Sequence, residues 1–263
     1  MAKTDSIELT RSGEIERIPI LYEDRSVLAI DKPPGWMLVP AHWRRTERNL
    51  QAAIESSIAG RDFWSRSRNL KFLRYVHRLD AETSGVLLLA KSPGAVDAYG
   101  DLFESRKVEK VYLAVVHGEP RQSEWVCTLK LSATDSASGR VKVDSRRGRE
   151  AETCFRVLQA RDDPALGQLA LVEARPLTGR THQIRVHLAQ SGHPVMGDRL
   201  YGRGQKAGSL LPGLTRFPLG LRAACLSYVD PFQKRRVRIE APMKEFAEAF
   251  GFGVGDSASA SAK

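Results

Sequence analysis

Cysteine is scarce in this chain: Cys127, Cys154 and Cys225 are three residues among 263, scattered and odd in number. That fits buried, reduced thiols better than a disulfide framework or a thiolate metal cluster. Long apolar runs are missing too. Val86 to Ala90 is a typical one, far short of a bilayer crossing. Residues 1–16 are polar and mixed in charge, with no apolar signal-peptide segment. The expected setting is therefore cytoplasmic, away from membranes. Negative charge is the other shortfall, with 31 Asp and Glu against 41 Lys and Arg, a formal net charge of +10. An excess of that size points to a polyanionic partner, most commonly nucleic acid.

What is present is ordinary for a globular protein, 42% hydrophobic and 27% charged, so a core is available and wholesale disorder is excluded. No linker, repeat or change of composition interrupts the middle of the chain. One continuous domain over about 18–250 is expected, with an N-terminal tail over 1–17 and a flexible Gly/Ser/Ala-rich C-terminal tail over 251–263. Strand patterns recur at Ile18–Tyr22, Val27–Asp31, Lys110–His117, Val126–Leu131, Arg140–Asp144, Thr153–Ala160, Gln168–Arg175, Ala224–Val229 and Arg236–Glu240. Several alternate apolar with polar residues, the pattern of antiparallel strands with one wet face. Three helices are predicted. They are Leu50–Ala59, Pro93–Ser105 with Ser92 as N-cap, and Thr181–Ser191 capped by Thr181 and closed by Gly192. Strands dominate without strict alternation, so the fold class is α+β, a mixed, largely antiparallel sheet with flanking helices and loops.

Three segments could carry chemistry. In Tyr75–Gly85 a polar loop enters the apolar run Val86–Ala90, which sets Asp80 beside the core near His77 and Arg78. An Asp before Thr-Ser-Gly is ordinarily a turn-former or cap. The functional reading is a carboxylate nucleophile or base held ionised by a nearby cation. Leu177–Leu188 gathers Arg180, His182, Arg185 and His187 at a strand-to-helix junction, suited to a phosphate or carboxylate. The two histidines are five apart with no Glu after the first, which does not match a zinc-protease motif. In Val108–Val116, Tyr112 is either a half-buried sheet tyrosine or an aromatic plate for a base with a hydroxyl to move a proton.

Basic clusters complete the inventory: Trp43-Arg44-Arg45, the span Arg61–Arg78, Arg146-Arg147-Gly148-Arg149, and Lys234-Arg235-Arg236 with Arg238. One such cluster is normally a solvated face. Four together, with Trp43 and Trp64 interleaved, favour nucleic-acid backbone binding. There is no Gly-x-Ser-x-Gly elbow and no Walker phosphate loop, and Gly202–Gly208 has the wrong spacing for a dinucleotide fingerprint.

In this order the segments resemble the RluA-type pseudouridine synthases, from about Leu21 to Pro242. The likeness is carried by Asp31-Lys32-Pro33-Pro34-Gly35, His77–Gly85, Lys110-Val111-Tyr112, Gly179–Leu188, Gly192–Asp198 and Tyr201-Gly202. The resemblance implies that Asp80 is the catalytic aspartate, Arg185 its salt-bridge partner, Tyr112 the tyrosine against the target base, and Arg78 an arginine that helps hold that base out of its stack. His77, Arg180 and Ile184 join Arg78 as expected substrate-binding residues, and charge adds Arg44 and Arg45. The implied reaction is isomerisation of uridine in structured RNA, with ribosomal RNA slightly favoured over tRNA. It needs neither cofactor nor metal, because nothing is oxidised and no external group is transferred. RNA is the one partner expected; no obligate protein partner is inferred, and a monomer is expected. Ala81 departs from the charged residue often found there in the family. With only about 17 residues before the catalytic region, target choice is expected to fall to the catalytic domain and to loops such as His42–Arg48 and Arg203–Leu214. Two other readings compete: a non-catalytic RNA-binding or assembly factor, from charge alone, and a glycosidase or nucleosidase pairing Asp80 with Glu82.

Overall fold

Alternating side chains set the first elements. In the computed structural model, which describes residues 3–11, 14–38, 48–202 and 216–253, β1 (Ser6–Arg11) pairs antiparallel with β2 (Glu14–Glu23), from Ser6 opposite Pro19 to Arg11 opposite Glu14. Ile7, Leu9 and Ile18 are fully buried there, so this stretch is a hairpin in place of the expected tail over 1–17. Two apolar residues in a short alternation are a weak signal alone, and the partner strand supplies the burial.

The chain falls into two compact units: residues 1–109 with 225–241, and residues 110–224 with 242–263. In the first, β2 continues to β3 (Val27–Lys32), which pairs with β5 (Ser84–Ala90) from Val27 opposite Ala90 to Lys32 opposite Gly85. The two-residue β4 (Arg74–Tyr75) also pairs with β5. Every residue of β5 is buried, as its unbroken apolar run requires. Helix α1 (Leu50–Ala59) turns Leu50 and Ile54 inward, and the short α2 (Phe63–Arg66) follows it. Helix α3 (Pro93–Glu104) starts as the sequence predicts: Pro93 opens it and the Ala95 amide donates to Ser92 Oγ at 3.2 Å. Its Ala95 and Tyr99 pack with Val27, Val86 and Leu88, and with Leu226, Val237 and Ile239 from the hairpin of β10 (Leu221–Val229) and β11 (Arg236–Glu240).

The second unit is built on the antiparallel order β6-β9-β8-β7, formed by β6 (Glu109–His117), β7 (Glu124–Cys127), β8 (Thr153–Asp163) and β9 (Gly167–Pro176). One face packs Ala114, Phe155 and Val172 against Ile184 and Leu188 of α4 (Gln183–Gln190). The other packs Val115 and Leu171 against Phe246 and Phe250 at α5 (Lys244–Ala249), and Phe252 is buried with them. The expected strand Arg140–Asp144 forms no regular element. Val143 makes an isolated bridge to Leu131, which also bridges Arg149, so three short segments share one residue.

Two basic-cluster expectations change. Trp64 is fully buried and donates its indole N–H to Ser57 Oγ at 2.7 Å, so it offers no stacking plate. The Arg68 side chain, 2% exposed, is spent on Glu23, Thr4 and the Trp64 carbonyl.

Candidate active site

In the first unit, Arg78, Leu79 and Asp80 lie on the loop that feeds β5. Leu79 is buried and anchors it, Arg78 is exposed, and Asp80 is half-buried. The Thr83 amide donates to the Asp80 carbonyl at 3.2 Å, which closes a turn ahead of the buried Thr83 and Ser84. The loop is also tied to β3 from below. The Ala81 carbonyl accepts the Gly35 amide at 2.7 Å and the Lys32 ammonium at 2.9 Å. Lys32 also donates to the Pro33 carbonyl at 3.0 Å. Gly35 makes that turn with φ +86°, a conformation that costs glycine little.

Lys32 is fully buried. Burial pulls its ammonium down to about 7, against the negative charges of Glu82 and Asp80, which raise it. A cation beside the catalytic candidate is expected from sequence. A buried cation bonded to this loop is Lys32, which figures in the sequence only as part of a motif. The available signal is a lysine two residues after the buried run Val-Leu-Ala-Ile. His77 is also committed to the framework. Its Nε2 accepts the Leu88 amide at 3.1 Å and its ring stacks on Phe103 at 4.6 Å, which braces the loop against β5.

In the second unit, Tyr112 is half-buried on β6 opposite Ala174, with its ring against the core beneath α4. Two residues earlier, Lys110 Nζ donates to the Thr178 carbonyl at 3.0 Å, tying the strand to the loop before α4. That loop turns at His182, whose φ of +55° is left-handed, so Thr181 does not cap the helix as predicted. The reason is Gln183, 4% exposed. Its Oε1 accepts the Thr178 hydroxyl and the Arg180 amide, and its Nε2 donates to the Glu152 carbonyl and Thr153 Oγ1. One buried amide is thereby satisfied at all four positions and fixes the entry to the helix. His187 is buried between Thr153 Oγ1 and the Leu129 carbonyl, each at 3.0 Å, and burial lowers its pKa. Gly192 closes the segment with φ +90°, as expected.

Arg185 is 5% exposed and meets Asp198 in a two-pronged pair: Nε to Oδ2 at 2.8 Å and Nη2 to Oδ1 at 2.9 Å. Burial works to raise the Asp198 carboxyl, but the bonds and charge of Arg185 hold it below the usual range. Asp198 Oδ1 also accepts the Leu200 and Tyr201 amides, which orients Tyr201. The Tyr201 ring lies under two guanidinium groups, those of Arg185 at 5.3 Å and Arg140 at 5.6 Å. Its hydroxyl accepts the Val141 amide at 2.8 Å and meets His182 Nδ1 at 2.8 Å. Asp198 and Tyr201 have no role in the sequence reading, although both lie in segments that carry the resemblance. Ile184, expected at the substrate, is 6% exposed and packs into the core with Leu188, because its face of α4 covers the sheet. Arg180 donates Nε to the Glu150 carbonyl at 3.0 Å. Arg44 and Arg45 lie outside the described residues. Among the described residues no three His, Cys, Asp or Glu side chains gather as metal ligands.

The arrangement offers a half-buried carboxylate on a braced loop in one unit, and a tyrosine plus a buried, oriented guanidinium in the other. The family model for RNA pseudouridylate synthase matches residues 26–190, well over half of the chain. The chain belongs to the RluA-type pseudouridine synthases. As a member, the synthase is an isomerase that turns uridine in RNA into pseudouridine. It is 35% identical over 244 residues to ribosomal large subunit pseudouridine synthase C of Vibrio vulnificus, covering 92% of this chain and 71% of that one. It is 31% identical over 236 residues to ribosomal large subunit pseudouridine synthase D of Zymomonas mobilis, covering 89% and 72%. Among solved structures, the synthase is similar to human RNA pseudouridylate synthase domain containing 1. There the TM-score is 0.64 at 28% identity, over 86% of this chain and 83% of that one.

Proposed function

We propose that the synthase isomerises a uridine of large-subunit ribosomal RNA, with Asp80 as its catalytic carboxylate. The observation that carries this reading is the Asp80 loop itself. Leu79, the Ala81 carbonyl and Lys32 hold a half-buried acid at the head of a fully buried strand, in a protein of net charge +10. A carboxylate fixed in this way in a basic protein suits chemistry on an anionic polymer better than binding alone. The choice of ribosomal RNA is supported by relatives 31% to 35% identical that bear ribosomal large subunit names.

The reaction balances without a co-reactant. The bond from ribose C1′ to base N1 breaks, the base turns, C5 bonds to C1′, the C5 proton leaves and N1 gains one. Asp80 acts at the ribose, either by holding C1′ covalently or by abstracting a sugar proton while the base turns. Tyr112 acts at the detached base, by stacking on it and assisting removal of the C5 proton. Arg185 serves to keep the catalytic carboxylate ionised. Arg78, Arg180, Arg44 and Arg45 engage the RNA. Unstacking the target costs a few kcal/mol, which favours loops and bulges. We further infer a monomer working in the cytoplasm.

Tritium release from RNA labelled at uridine C5 tests the proposal. Ribosomal RNA and tRNA are supplied separately to wild type and Asp80→Ala. Release from ribosomal RNA by wild type alone is expected, with a loss of at least ~10³-fold in the variant. Release from tRNA alone overturns the substrate; equal release by both proteins overturns the role of Asp80.

A further inference from the structure

Between β7 and β8 the chain makes an excursion, 128–150, that no step of the isomerisation uses. Leu129 is 40% exposed, but the other large apolar side chains of the excursion are turned inward. Leu131, Val141 and Ala151 are each 1–2% exposed and pack against Val186 of α4, the residue after Arg185, with Val143 and Tyr201 at the edge. Its cations are turned outward: Arg140, Lys142, Arg146, Arg147 and Arg149 are all exposed. In Arg140–Val143 the two kinds alternate, the pattern of a strand-like segment with one wet face.

The backbone under these cations is fixed. Leu131 exchanges two hydrogen bonds with Arg149, at 3.0 and 2.8 Å, and the Asp144 amide donates to the Lys130 carbonyl at 3.0 Å. Asp144 Oδ1 accepts the Arg146 and Arg147 amides at 3.0 and 2.9 Å. At Gly148 a Cβ would stand 2.2 Å from the Asp144 carbonyl oxygen, so no other residue fits that turn unmoved. The acids of the excursion are largely spoken for: Asp135 binds Ser138, Asp144 holds the turn, and Glu150 pairs with Lys130 at 2.7 Å. Among the described residues none of the five outward cations has a carboxylate at ion-pair distance.

Five exposed cations without ion-pair partners, on a rigid apolar-backed platform, form a surface for an extended anion. The platform joins the Arg185 neighbourhood directly, since Arg140 and Arg185 lie over the same Tyr201 ring and Arg180 binds the Glu150 carbonyl. We propose that residues 128–150 form a clamp on the RNA sugar-phosphate backbone beside the target uridine, with Arg146, Arg147 and Arg149 as its main phosphate ligands. The proposal rests on the reading of RNA as substrate. A pre-ordered platform spends little conformational entropy on binding, which distinguishes it from a basic tail.

The test is the salt dependence of binding to transcribed large-subunit ribosomal RNA. It compares wild type, the triple variant Arg146→Ala, Arg147→Ala, Arg149→Ala, and the matching triple Lys variant. Every phosphate deprived of its cation flattens the slope of log affinity against log salt by about 0.7 to 0.9, so the Ala variant should be flatter by about two units. The Lys variant should keep the wild-type slope, and KM for tritium release should rise with the Ala variant only. Equal slopes for wild type and the Ala variant overturn the clamp, as does a Lys variant that behaves like the Ala variant. Loss of binding to an acidic protein partner, with RNA binding unmoved, overturns it in favour of a protein-docking surface. If wild type releases tritium while the slopes coincide, the clamp alone fails. If the slopes differ but ribosomal RNA releases no tritium, the ribosomal substrate fails and the clamp stands.

Discussion

The two units hold their functional groups by opposite means. In the first, Asp80 rides on a loop secured through main-chain carbonyls, and the cation beneath it, Lys32, is bonded to the Pro33 and Ala81 carbonyls. In the second, Arg185 is held by side chains: Asp198 on its edge, Tyr201 on its face, and Gln183 fixing the start of its helix. Carbonyls carry no net charge, so Lys32 bears most of its desolvation uncompensated and titrates near neutrality. The Asp198 carboxylate meets the Arg185 charge directly at two atoms, and Arg185 in turn holds that carboxylate ionised. The first arrangement is therefore sensitive to pH, and the second to deletion of a partner.

Removing a partner is the harshest way to probe that contrast. Asp198→Ala takes the two-pronged carboxylate away from the buried Arg185 guanidinium, and the expected loss is about 3–5 kcal/mol in urea unfolding. A loss below about 1 kcal/mol would show that solvent or another group replaces the carboxylate.

A pH series probes the other arm. The folded-state pKa of Lys32 is lowered, from 10.5 to about 7, so above 7 the unfolded chain binds the extra proton. Stability contributed by this group therefore rises with pH from about 7 toward 10.5, and below 7 the full cost of a buried charge is present. Wild type should gain about 3 kcal/mol between pH 7 and 10 relative to Lys32→Met, which lacks the titrating group. Parallel stability curves for the two proteins would mean that the ammonium is not desolvated as its burial indicates.

The smallest effect belongs to Tyr201→Phe. The ring stays under both guanidinium groups, but the Val141 amide and His182 lose the hydroxyl. A cost of about 1–2 kcal/mol is expected, with faster amide exchange at Val141. Unchanged exchange there would place the support of that segment in the ring rather than in the hydroxyl.

Much of the frame is legible in the sequence because local rules suffice for it. Ser92 before Pro93 marks the start of α3, the run Val86–Ala90 marks a strand buried on both faces, and alternation at Val237 and Ile239 marks β11. The candidate acid and arginine are legible from motifs, and family membership bears out the resemblance those motifs carry. The misses share a cause. Ile7 and Leu9 need a partner strand before their alternation means anything. Whether Trp64 faces water or core depends on which strands cover its helix.

By itself the sequence determined the strand-rich class, the basic character, and the residue types able to do the chemistry, since each follows from local pattern and composition. Only the tertiary structure decided that Lys32 is buried under the Asp80 loop, that Asp198 grips Arg185 from thirteen residues away, and that Arg140 shares a tyrosine with that arginine. Those are contacts between distant segments, and side-chain desolvation and pairing are properties of the packed environment, which no local stretch of sequence contains.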